Sequence, residues 1–347
     1  MRSQLPRSAR ARRFESLEIR LNLSGNGGVV ECDADSLRLS GDHAAATAAV
    51  NCLAFDLYAN FNAEEGNLLL SPISISTALA MTAVGANGTT ADEMNRVLHL
   101  RNDPSIHGSF KSLLNALDRE GENAAEIEIA NALWPNIGLT VEDAFLDEIA
   151  ENYRGYAQRL DYFDRDAYKV INQWGAEQTN GHIQDVIPKP LSASTAMVLT
   201  NSVYFNANWA NRFSPAEDAP FRLASGEAVE TPMMRFEFSN AIKHKLIDDH
   251  QVAVFPYEDG KTSMVVLLPA TTDYFDSWVG TFPVTEDTQI DDLSSATLVK
   301  VNQWLDSSPL PEALVVGELP KFQTTVDSGL AGLLSGLGMP TAFTPSA

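Results

Sequence analysis

Residues 71–84, SPISISTALAMTAV, constrain the fold more than any other part of the chain. Ser71-Pro72 reads as a helix start. A serine at N-cap accepts a backbone N–H, and a proline at the first helical position gives up no bond. Ile73, Ile75, Leu79, Met81 and Val84 then place apolar side chains almost all round the helix, with no charge among them. A helix without a polar face cannot lie on a surface and must be enclosed by other elements. Gly85 reads as its stop. Enclosing it needs a sizeable core, and 347 residues suffice for one large domain or two ordinary ones. A chain of this length buries enough surface to fold without a disulfide or metal staple.

The surrounding pattern supplies candidate neighbours. Val50, Leu53, Leu57 and Phe61 form one helix face, and Phe110, Leu113, Leu114 and Leu117 another. Leu68-Leu69-Leu70 reads as a short apolar strand. Thr90-Ala91-Asp92-Glu93 reads as a capping box opening a further helix. Ile127, Ile129 and Leu133, read as alternating with Glu126, Glu128 and Asn131 before Trp134, predict a strand. Residues 141–153 and 170–178 read as helices, the second closed by Gly181. Residues 196–209, rich in β-branched and aromatic side chains, predict a long strand. Strands around 252–255 and 264–268 flank an Asp259-Gly260 turn. Residues 271–295 read as an acidic loop, 314–326 as a strand and 330–337 as a last helix. Helices come first and strands later, which argues for α+β.

Charge excludes several function classes. Lys+Arg is 24 against Asp+Glu 46, a net of −22. Residues 1–20 hold six arginines and two glutamates, so the remainder is more acidic still. Nucleic-acid binding by such a body is excluded as a reading, because phosphate contacts need clustered cations. No apolar run reaches the ~20 residues of a membrane span. The Arg-rich start lacks the apolar core of an export signal. Residues 1–41 are therefore expected as a disordered basic segment and linker, and 42–347 as the folded domain. Cys32 and Cys52 can form one bridge at most, and the sequence leaves open whether they pair.

No enzyme signature survives inspection. A G-x-S-x-G elbow fails at Ser335, which has Leu333 two residues before it. Gly260-Lys261-Thr262 resembles half a phosphate loop, but the required earlier glycine is Phe255. His43, His99, His107, His182, His244 and His250 form no metal-binding pair. No cofactor and no metal are expected.

Several motifs nevertheless occur in a telling order. NLLLSPISISTALAMTAVGANGTTADEMNRVLHL at 67–100, INQWGAEQTNGHIQDVIP at 171–188 and LTNSVYFNANW at 199–209 together resemble the serpin family. PMM at 232–234, LPKF at 319–322 and GMPTAF at 338–343 extend the resemblance across residues 45–347. It implies an α+β serpin fold, with N-terminal helices packed on a large mixed sheet A and smaller sheets B and C. It also implies inhibition of serine or cysteine proteases as partners, by a suicide-substrate mechanism. A cleaved loop there inserts as an extra strand into the large sheet.

By the same resemblance, Ser71, Ser74 and Asn201 match the family's shutter residues, expected as one buried hydrogen-bonded cluster. Trp209 matches the breach tryptophan, and Thr179-Asn180-Gly181 a helix-closing turn. For Ser71 a plain N-cap is an alternative role, and for Ser74 a small residue at a close helix contact. Localisation is expected to be extracellular or in the cell envelope. The family's next sheet strand, hinge, reactive loop and last core strands find no match after residue 343, and no histidine completes the shutter. These residues are therefore expected to carry no reactive bond and to be inactive as an inhibitor. A non-inhibitory binding or surface module is the alternative, and a hydrolase with an unrecognised triad lacks any nucleophile motif.

Overall fold

The computed structural model describes residues 32, 37, 39–61, 68–118, 124–179, 181, 183–187, 190–222, 227–239, 242–248, 250–269, 295–307, 314–323 and 330–344. The enclosed helix is present as α2 (Pro72–Ala83). Around it stand α1 (Ala44–Phe61), α3 (Gly88–Val97), α4 (Ser105–Leu117) and α5 (Asp143–Tyr153), together with β1 (Glu126–Pro135) and β3 (Met197–Asn206). Ala80 and Met81 are fully buried. One apolar cluster joins Leu53 and Leu57 of α1, Met81, Phe110, Leu133, Ile149 and, far along the chain, Met339. Burial of each such side chain contributes roughly 1.5–3 kcal/mol, and of the apolar helix residues expected to be enclosed only Met81 is fully buried, while Ile73, Ile75, Leu79 and Val84 are partly buried against the same cluster.

The sheet beneath α2 is mixed. β1 pairs in parallel with the short β2 (Tyr156–Ala157) and antiparallel with β3 over ten residue pairs, from Glu126↔Asn206 to Pro135↔Met197. On its far face, α6 (Ala167–Gln178) covers Ala132, Trp134 and Val198 through Ile171 and Trp174. Among the described residues β3 has no ladder partner on the edge away from β1.

Among the described residues there are three further sheets. β5 (Ala219–Arg222) and β6 (Ala228–Thr231) form a hairpin. β7 (Met233–Ser239) lies between the two-residue β4 (Ser214–Pro215) and β11 (Leu314–Pro320). β9 (His250–Pro256) lies between β8 (Lys243–Ile247) and β10 (Ser263–Pro269). The turn after β9 is the one the sequence predicts: Asp259 Oδ1 accepts from Lys261 N and Thr262 N, both at 2.9 Å. α7 (Ser295–Ser307) packs Val301 and Trp304 on that sheet, and α8 (Leu330–Leu337) leads into a 3-10 turn at Pro340–Phe343.

Local expectations fail at four places. Leu68–Leu70 forms no strand; Leu68 and Leu70 instead pack on the central core. The capping box does not form, because α3 starts at Gly88 and Glu93 turns to Thr341, 248 residues away. Ser71 makes no side-chain cap to α2. Of the segment expected as linker, Leu37 is fully buried against Ala48 and Cys52 of α1, and Cys32 and Cys52 are bonded to each other. Residues 1–31 and 324–329, and the loop expected at 271–295 except Ser295, which begins α7, lie outside the described residues.

Candidate functional site

The residues singled out in the sequence fall in three places. The first is the contact between the start of α2 and the β1–β3 pair. Ser71 Oγ and Ser74 Oγ lie 2.8 Å apart and share a hydrogen bond. This bond explains the missing N-cap, since the Ser71 hydroxyl is engaged with its neighbour one turn on. Ser74 is 5% exposed, so its hydroxyl depends on that partner.

Asn201 of β3 lies on the sheet face shared with Met197 and Leu199, which pack on the α2 core. Directly opposite stands Asn131 of β1, and Asn201 Nδ2 donates to Asn131 Oδ1 at 2.7 Å. The single cluster expected for Ser71, Ser74 and Asn201 is thus two bonded pairs, one on the helix and one on the sheet. No hydrogen bond among the described residues links them.

Asn131 is the residue that sequence reading missed. It was grouped with the polar positions Glu126 and Glu128, yet its parity is that of Ile127, Ile129 and Leu133. In a strand, residues two apart share a face, so an asparagine here sits on the apolar side. It is 1% exposed, and its Nδ2 has no hydrogen-bond partner among the described residues. Ser76 Oγ on α2 and Ser202 Oγ on β3 are likewise buried without partners among the described residues. Such groups are uncommon in folded chains and each costs about 1–3 kcal/mol. On the α2 face, Asn131 and Ser76 are thus polar groups able to take up new bonds at little loss of old ones, while Ser202, by parity with Thr200, lies on the α6 face.

The second place is the end of β3. Trp209 bridges Tyr257 through the backbone, and their rings stack at 4.5 Å and 19°. Phe213 meets the indole edge-on at 5.2 Å. A cavity of about 350 Å³ opens here, lined by Phe205, Trp209, Phe213 and Met234 with Arg212 and Lys321. The third place is the end of α6. Thr179 Oγ1 donates to Gly175 O at 2.7 Å and accepts from Ile183 N at 3.0 Å. Gly181, at φ +81°, returns its N–H to Ala176 O at 2.7 Å, which closes the helix. Asn180 lies outside the described residues. Among the described residues no group of three or more His, Cys, Asp or Glu could hold a metal ion.

Comparison with known proteins follows the same lines. The family model described as Serpin (serine protease inhibitor) matches residues 48–347. An uncharacterised serpin-like protein of Thermococcus kodakarensis is 33% identical over 85% of this chain and 66% of its own length. A leukocyte elastase inhibitor of Xenopus tropicalis is 30% identical over 83% of this chain and 75% of its own. Among solved structures, reactive-loop-cleaved human thyroxine-binding globulin is similar at a TM-score of 0.70 and 27% identity, over 87% of this chain and 86% of that one.

Proposed function

Because the chain belongs to the serpin family, we propose that it is by descent an inhibitor of serine-type endopeptidases, acting through insertion of a loop into its sheet. The family is one of protease inhibitors, and the chain is not an enzyme. The observation that supports the reading most is the match to the serpin family over residues 48–347, with β3, paired to β1 along its whole length, as the part of the sheet such a loop would join. An edge of ten residues offers a row of N–H and C=O groups to an incoming strand. Each new ladder bond contributes about 1 kcal/mol net, so a strand of several residues supplies a substantial driving force. Asn201, Asn131, Ser71 and Ser74 underlie this edge as shutter groups, and Trp209 with its aromatic partners marks the end where entry begins.

The reading is tested on the loop, the segment that a protease would cleave. The test is a chimera that continues residue 343 with the matching C-terminal segment of the Xenopus leukocyte elastase inhibitor. A folded chimera should form an adduct with an elastase that survives detergent electrophoresis. A folded chimera that is only cleaved would contradict the inhibitory reading. That outcome would favour the second one, a non-inhibitory binding module, which the similarity to thyroxine-binding globulin supports.

A further inference from the structure

The bond between Cys32 and Cys52 lies apart from everything loop insertion uses. It joins residues 20 apart, with Cα atoms 5.4 Å from each other. Cys52 sits inside α1 at 1% exposure, while Cys32 is half-buried. Beside them Leu37 is fully buried, and Leu39, Phe55 of α1 and Val299 of α7 close around the pair. Among the described residues ahead of α1, Cys32 is thus anchored covalently and Leu37 by apolar contact, where α1 meets α7. The surrounding stretch, residues 24–43, is rich in Gly, Ser, Asn and Asp. Such a stretch buries too little apolar area to offset its ordering entropy alone, so the covalent anchor decides whether Leu37 stays in place.

We infer that Cys32–Cys52 is a redox-responsive clamp: oxidised, it holds Cys32, and Leu37 beside it, against the α1–α7 junction; reduced, it releases them and loosens the junction. The reaction is two-electron thiol–disulfide exchange with a dithiol. A reagent thiolate attacks the sulfur of Cys32, the more exposed residue, and Cys52 leaves as a thiolate that takes up a proton. The reagent's second thiol then displaces Cys32, leaving two protein thiols and a cyclic reagent disulfide. The leaving thiolate of Cys52 forms among apolar side chains, which makes the first step slow. Such a clamp persists in compartments that support disulfides, outside the cytosol or in the cell envelope. This inference does not depend on the inhibitory reading.

The test uses the full chain, exported to the periplasm of a bacterial host and treated with or without dithiothreitol. Alkylation followed by mass measurement should count no free thiol before reduction and two after. Reduction should lower Tm by roughly 3–6 °C, as expected for closing a loop of this length in a chain of this size. Amide exchange should quicken in α1 and α7. Cys32→Ser should melt with the reduced wild type and respond no further to dithiothreitol. Should that variant not fold, the reduced wild type gives the same readings. Two alkylatable thiols in the exported protein, or reduction that changes neither Tm nor exchange, would overturn the inference.

Discussion

Asn131 and Asn201 stand opposite each other in the β1–β3 ladder and share one amide hydrogen bond of 2.7 Å, which leaves Asn131 Nδ2 buried and without a partner among the described residues. The pair is polar matter in an apolar layer, with Leu133 and Leu199 beside it on the same face. Truncating one partner removes the bond and strands the other. Asn201→Ala should therefore lower stability by about 1–3 kcal/mol, the cost of an orphaned buried amide. The double change Asn131→Leu with Asn201→Leu, which removes both polar groups at similar shape, should cost less than Asn201→Ala alone. Urea unfolding of the single and double variants checks this, and a double variant less stable than the single would contradict it.

Glu93 gives a pH signature. Its carboxylate accepts from Thr341 Oγ1 at 2.6 Å and from Thr341 N at 3.0 Å. The hydroxyl bond first, then the backbone bond, hold its pKa below the ordinary 4.5. A carboxylate depressed in the folded state stabilises above its unfolded pKa, and that contribution is lost as pH falls through the folded value. Wild type should therefore melt above Glu93→Gln at pH 7, with the two converging as pH drops below about 4.5. Asp248, also lowered, through Lys300 and then Thr297, keeps its own acid response in both proteins. A Tm difference unchanged between pH 7 and pH 3 would show that the Glu93 charge plays no part.

Gly338 ties the same region together from the other side. Its carbonyl accepts from Arg96 Nη2 at 2.6 Å, and its φ is +115°. A Cβ here would stand 2.8 Å from that nitrogen. Gly338→Ala combines a disfavoured backbone with a displaced guanidinium and should cost more than about 1 kcal/mol. Gly332→Ala, in α8 with open space at its Cβ position, should be neutral or stabilising by up to about 1 kcal/mol. Thermal melts of the two variants should move in opposite directions or differ clearly in size.

Much of this was legible in the sequence. The uncharged turns of α2 required an enclosed helix, and the ordered serpin-like motifs supplied the fold around it. What escaped were long-range partners. Glu93 looked like half of a local capping box because Thr341, its real partner, lies 248 residues on. Ser71 looked like a cap because nothing in a linear pattern says that two hydroxyls one turn apart will prefer each other. Asn131 was legible by parity alone and was overlooked among the glutamates. Leu37 was hidden by its polar neighbours, since one buried leucine and one disulfide give no periodic signal.

The most direct test of the central claim is amide exchange along β3, residues 197–206, with and without an added strand. The probe is a capped peptide of about twelve alternating small and β-branched residues, a length that spans the edge. The β3 amides that face away from β1 should exchange quickly in the free chain and gain protection saturably with peptide, while those bonded to β1 change little. Edge amides already protected to the global limit without peptide, or unchanged at saturating peptide, would contradict the account.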